Sequence, residues 1–117
     1  MGRLSTHVLD IARGKPAGGV AVELFRLGPN EARQSVASAV TNADGRTDQP
    51  LLSGAQFQPG CYELVFQIGA YFRAIGPDTA GDFLDIVPLR VTLADPDGHY
   101  HVPLLCSPWS YSTYRGS

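Results

Sequence analysis

Apolar and polar positions alternate along this chain in short runs, and each run ends in glycine, proline, asparagine or aspartate. The cleanest run is Cys61 to Ile68. There Tyr62, Leu64, Phe66 and Ile68 fall on one side of an extended strand, and Cys61, Glu63, Val65 and Gln67 on the other. Ile86 to Ala94 repeats the pattern with Val87, Leu89, Val91 and Leu93. Leu4 to Asp10 and Val20 to Leu27 predict two earlier strands, the first closed by Arg13-Gly14-Lys15-Pro16 and the second by Gly28-Pro29-Asn30. In the run Gln34 to Thr41, Val36, Ser38 and Val40 alternate against Ser35, Ala37 and Ala39. It meets Asn42-Ala43-Asp44-Gly45, and Asp-Gly between two such runs predicts a type I′ hairpin whose short return strand starts at Arg46 and stops at Pro50. Ala70 to Ile75, before Gly76-Pro77, has the composition of one short helix. Asp95-Pro96-Asp97-Gly98 is a turn into a strand beginning at His99. Ser107-Pro108 ends that strand, and Trp109 to Arg115 is expected as the last one, with Trp109 and Tyr111 holding it by packing.

Roughly seven or eight short strands, with turns about every eight to twelve residues and one short helix, predict an all-β antiparallel sandwich. No internal repeat or linker divides the 117 residues, so residues 1–117 are expected to form one domain.

Composition narrows the function classes. A formal charge of −2 gives no electrostatic reason to expect nucleic acid or an anionic membrane as partner. No apolar run approaches the ~20 residues that span a bilayer. Met1 to His7 lacks the apolar core of a secretory signal and runs straight into strand-like sequence, so a cytoplasmic protein is expected. Cys61 and Cys106 lie in strand-like runs and are expected as two unpaired, buried structural thiols.

Chemistry concentrates in few places. The three histidines are His7, His99 and His101. In an extended strand, i and i+2 point the same way, so His99 and His101 stand side by side, roughly 6.5–7 Å apart. An imidazole carries protons near neutral pH. The ordinary role of any one strand histidine is to satisfy a backbone carbonyl, and the pair shifts the balance toward function. His-x-His with a distant third histidine also fits zinc. No cysteine or acid clusters with the pair, so no metal and no cofactor is expected. Arg46 after the Asp44-Gly45 turn is either a solvated edge charge or a planar fork aimed at an anionic or imide-like ligand. Arg115, between Tyr114 and Gly116 near the chain end, carries the same ambiguity. No Gly-x-Ser-x-Gly elbow exists, so in a hydrolase the nucleophile would be water.

Taken together, these stretches resemble a family. Leu4-Ser5-Thr6-His7-Val8-Leu9-Asp10 with Gly14-Lys15-Pro16-Ala17, the turn Thr41 to Arg46, the strand His99 to Leu105 and the ending Ser107 to Ser117 resemble the 5-hydroxyisourate hydrolases. These are transthyretin-like enzymes of purine catabolism, and the resemblance covers nearly the whole chain in order. It implies catalytic roles for His7, Arg46 and His101, and substrate contacts from His7, Arg46, His99, Tyr114, Arg115, Gly116 and Ser117. It also implies the substrate 5-hydroxyisourate and a homotetramer of two sheet-paired dimers, with sites at the dimer–dimer face. The alternative on the same scaffold is a small-molecule carrier without catalysis. The hormone-carrying transthyretins have Lys, Glu and Thr at the positions matching His7, Arg46 and His101, and they lack the Arg-Gly-Ser ending. The chain departs mildly from the family pattern at Cys106 and at Phe83-Leu84-Asp85. Which histidine is the base stays open.

Overall fold

The computed structural model of the chain describes residues 1–76 and 83–116. In chain order the strands are β1 (Arg3–Asp10), β2 (Lys15–Pro16), β3 (Ala21–Leu27), β4 (Arg33–Val40), β5 (Leu52–Ser53) and β6 (Gly60–Gln67). The helix α1 (Ile68–Ile75) follows, then β7 (Ile86–Leu93), β8 (His99–Cys106) and β9 (Tyr111–Thr113). The described residues thus hold nine strands, of which β2 and β5 are two-residue stubs that no hydrophobic alternation announces. One sheet runs β2-β1-β8-β9 with β5 also on β1, and the other runs β4-β3-β6-β7.

The two sheets pack because alternation gives each an apolar inner face. Leu4 and Val8 of β1, Leu104 of β8, Leu24 of β3 and Leu64 and Phe66 of β6 are fully buried. Burying one such side chain stabilises the fold by about 1.5–3 kcal/mol. The face read from Tyr62, Leu64, Phe66 and Ile68 is the core face. On β4 the alanines, Ala37 and Ala39, turn inward, while Val36 and Val40 are exposed at the sheet edge. The helix begins two residues earlier than its composition indicates. Ile68, Tyr71 and Phe72, one helical turn apart, bury its inner side. The Tyr71 hydroxyl donates to Asp10 Oδ2 at 2.9 Å, tying the helix to the end of β1. Burial and that carboxylate push its pKa up to about 12.

Four expectations are corrected. The sandwich is not antiparallel throughout, because β1 and β8 pair in parallel. They lie at opposite ends of the sequence, and no hairpin dictates their direction. The turn at residues 42–45 is not type I′. Gly45 alone has positive φ, at 76°, and Asp44 does not. Arg46 then forms a single bridge to His7 instead of opening a return strand. The final strand is only Tyr111–Thr113, and Trp109 (62% exposed) and Tyr111 (43%) do not hold it by packing. Both thiols are free, but only Cys106 is buried, and burial pushes its pKa up to about 12. Cys61 sits on the outward face of β6 and is exposed.

Candidate active site

The parallel pairing of β1 and β8 builds the site. Its register sets Arg3 beside His99, Ser5 beside His101 and His7 beside Pro103. Leu4, Thr6 and Val8 are committed to the core. Arg3, Ser5 and His7 therefore point outward, onto the face where His99, His101, Pro103 and Leu105 also point. Two stretches almost a full chain length apart thus place their polar residues on one surface. The rings of His7 and His101 lie 6.4 Å apart between centroids, tilted by 40°.

The turn after β4 brings in Arg46. Asn42 Oδ1 accepts from the Asp44 and Arg46 amides at 2.9 and 3.2 Å, and the Gly45 amide donates to the Asn42 carbonyl at 2.9 Å. The Gly45 carbonyl then accepts from the Val8 amide at 2.7 Å, which fastens the turn to β1. A side chain at Gly45 would collide with the Val8 carbonyl oxygen, so glycine is required there for space as well as for its positive φ. The same turn fixes His7. The Asp44 carbonyl lies 2.9 Å from His7 Nε2, and a carbonyl only accepts, so Nε2 carries the proton.

His101 is held differently. Its Nδ1 lies 2.8 Å from the Ser5 hydroxyl, a group able to donate or accept. Burial first, then the positive charge of Arg46, then His7, hold the His101 pKa below its ordinary value of 6.5. At neutral pH this imidazole is uncharged, as a base must be. A cavity of about 410 Å³ opens here, lined by Arg3, Ser5, Arg46, His99, Tyr100 and His101. That volume suits a small heterocycle. The lining contains two guanidiniums and no carboxylate. Neither guanidinium makes a hydrogen bond or ion pair among the described residues. Within a chain of net charge −2, the cavity is a local positive site for an anion.

The chain end closes against this face. The Gly116 amide donates to the His101 carbonyl at 2.7 Å, and the Thr113 hydroxyl donates to the Pro103 carbonyl at 2.7 Å. A Cβ on Gly116 would sit 2.7 Å from His101 Cδ2, so only glycine lets the tail lie flat on the imidazole. The Arg115 guanidinium stacks 4.3 Å from the centre of the Tyr100 ring. With Tyr114 it borders a second hollow, of about 470 Å³, beside Val91, Leu93, Tyr100 and Val102.

Of the residues read from the sequence, His7, Arg46, His99, His101 and Gly116 thus come together. Within one chain Tyr114 and Arg115 border the neighbouring hollow instead, and Ser117 lies outside the described residues. No group of three or more His, Cys, Asp or Glu side chains disposed to hold a metal ion occurs among the described residues. Four contributors escaped the sequence reading: Arg3, Ser5, Tyr100 and the Asp44 carbonyl. Period-two spacing from His7 already placed Arg3 and Ser5 on its face, but their partners depend on the β1–β8 register.

Comparison with known proteins places the chain in a family. A family model described as HIUase/Transthyretin family matches residues 4–116. A protein of Rhizobium meliloti named 5-hydroxyisourate hydrolase 2 is 57% identical over 99% of this chain and 97% of its own length. Among solved structures, the 5-hydroxyisourate hydrolase of Klebsiella pneumoniae superposes with a TM-score of 0.82 at 38% identity, covering 100% of both chains. An (S)-allantoin synthase superposes with a TM-score of 0.91 at 50% identity over 99% of this chain, which spans only 44% of that longer one. The chain belongs to the HIUase/Transthyretin family.

Proposed function

We propose that this chain hydrolyses 5-hydroxyisourate, opening a cyclic acyl–nitrogen bond with water as nucleophile to give 2-oxo-4-hydroxy-4-carboxy-5-ureidoimidazoline. The observation that carries the reading is the meeting of a neutral His101 with His7 and the uncommitted Arg46 on one face. High identity over the full length to a named hydrolase supports it.

The chemistry follows from the groups present. An imidazole nitrogen takes a proton from water as its oxygen attacks the carbonyl carbon. The carbonyl oxygen gains negative charge, which Arg46 offsets. The carbon–nitrogen bond then breaks, the leaving nitrogen takes up the proton, and a carboxylic acid is released that ionises at neutral pH. A placed acid or base contributes ~10²–10⁴-fold. A single donor at the developing oxyanion contributes on the order of 10²–10³-fold. No cysteine or acid clusters with the histidine pair in the sequence, so the reaction is assigned no metal or cofactor.

The assembly belongs to the same proposal: a homotetramer of two sheet-paired dimers, acting in the cytoplasm, with residues 1–117 as its single domain. Leu105, half-buried in the single chain, shares the outward face with the histidines, and an apolar residue beside a polar site suits a covered surface better than bulk water. Among the described residues no helix is long and apolar enough to cross a membrane. The test is to oxidise urate freshly, add the purified protein and follow the intermediate's ultraviolet absorbance. The proposal expects decay well beyond the spontaneous rate, and a trace unchanged by micromolar protein would overturn it.

A further inference from the structure

We infer that Ser5 is a positioning residue for catalysis: its hydroxyl occupies His101 Nδ1, turns Nε2 into the working nitrogen, and thereby makes His101 the group that both takes and returns the proton. This inference rests on the hydrolase reading and assigns the two histidines different parts within it.

The two imidazoles sit on the same face but are anchored by chemically different partners. His7 Nε2 faces the Asp44 carbonyl at 2.9 Å. A carbonyl cannot donate, so the proton stays on Nε2, and a neutral His7 offers only Nδ1, as an acceptor. His101 Nδ1 faces the Ser5 hydroxyl at 2.8 Å. That hydroxyl accepts from Nδ1–H when Nε2 is a free base, and it still accepts when the ring is an imidazolium. When the proton sits on Nε2 instead, the hydroxyl rotates and donates to Nδ1. All three protonation states of His101 therefore keep the bond, whereas the carbonyl at His7 serves only those with Nε2 protonated. Among the described residues Ser5 Oγ has no other hydrogen-bond partner, so nothing competes for the hydroxyl proton.

The proton balance is closed. Water loses one proton to His101 Nε2 as its oxygen bonds to the carbonyl carbon. The imidazolium gives that proton to the nitrogen released when the carbon–nitrogen bond breaks, and the ring returns to its starting state. A carboxylate in the place of Ser5 would hold a proton on the ring and raise its pKa, against the need for a neutral base. A hydroxyl orients the ring without adding charge. Among the described residues, the titratable and charged groups around this ring are Arg3 and His7 of β1, His99 of its own strand, and Arg46 of the turn. Tyr100 of its own strand lines the same cavity, and Arg115 stacks on the Tyr100 ring from the neighbouring hollow. All of these are cationic or neutral, so the ring works in a field that disfavours its charged form.

The experiment compares wild type, Ser5→Ala and Ser5→Thr, with kcat and KM measured across pH. Ser5→Ala is expected to lower kcat roughly ten- to a hundredfold, the cost of a loosely held reacting group. KM should stay within about twofold, because the substrate-binding guanidinium is untouched. The acid limb of its kcat profile should move to lower pH, since the imidazolium loses an acceptor, and hydrogen bonds to charged groups are the stronger ones. Ser5→Thr keeps the hydroxyl and should restore most of the rate and the wild-type limb. Nitrogen-15 spectra of histidine-labelled wild type provide a readout that needs no variant: Nδ1 of His101 should show a hydrogen-bonded shift, lost in Ser5→Ala. An unchanged kcat and pH profile in folded Ser5→Ala would overturn the inference. So would a wild-type His101 Nδ1 that titrates like a free imidazole, even if Ser5→Ala fails to fold. If wild type itself does not speed 5-hydroxyisourate decay, the hydrolase reading fails instead, and the spectra still test the Ser5–His101 bond.

Discussion

The two sheets present opposite kinds of outer face. On the β3-β4-β6-β7 sheet, charges are spent on one another. Glu63 is 6% exposed, with Arg33 Nη1 and Arg90 Nε each 2.8 Å from one of its oxygens. The hydrogen bond from Arg90, more than any other influence, holds its carboxyl below the ordinary range although burial pulls the other way. Arg33 also stacks 4.1 Å from the Phe25 ring centre, and Glu23 accepts from the Ser35 hydroxyl. On the β1–β8 face, Arg3 and Arg46 have no such partners among the described residues, and His101, which lines the same cavity, has its pKa lowered. Paired charges set geometry and stability, whereas unpaired charges aimed into a cavity await a ligand. On that contrast we propose that function lies on the β1–β8 face.

That contrast can be broken most severely at His101. His101→Asn keeps the shape but loses the proton carrier, so turnover should fall ~10²–10⁴-fold with little change in Tm. Equal loss of activity and of stability would mean the ring is structural. Gly116→Val comes next: the added side chain meets the His101 ring at van der Waals overlap. A displacement of ~1 Å costs ~10²-fold, so activity should fall about that far while the core, which Gly116 does not enter, stays intact. Near-native turnover would detach the tail from the site.

The pH profile sharpens the comparison by a smaller effect. Because the His101 pKa lies below 6.5, more than half of the base is neutral at that pH, and the midpoint of the acid limb should fall below it. An acid limb centred above 6.5 contradicts the electrostatics drawn here. The smallest effect on activity is expected on the other face. Glu63→Ala removes the partner of two half-exposed arginines and should cost about 1–3 kcal/mol of stability, read by denaturant unfolding, with kcat per folded molecule unchanged.

How legible all this was in the sequence depended on how local the cause was. The core face of β6 and the turn at Asp95–Gly98 follow from alternation and turn chemistry within a few residues, and both appear where they were expected. The parallel β1–β8 pair does not, since nothing near Leu4 or Tyr100 encodes a partner almost a hundred positions away. For that reason His7 and His101 were tied together by family resemblance and not by spacing. Ser5, an ordinary strand serine in sequence, became visible only in that register. Cys61 and Trp109 misled for the converse reason: small or aromatic side chains on outward faces look like core until the layers are assigned.

The most direct test removes one arginine from each face in otherwise identical proteins. Arg46→Ala and Arg90→Ala are each assayed for 5-hydroxyisourate hydrolysis and for Tm beside wild type. Arg46→Ala should lose on the order of 10²–10³-fold in kcat/KM at nearly wild-type Tm. Arg90→Ala should lose Tm and keep its turnover. If Arg46→Ala hydrolyses the substrate as wild type does, the assignment of the β1–β8 face as the catalytic face is wrong.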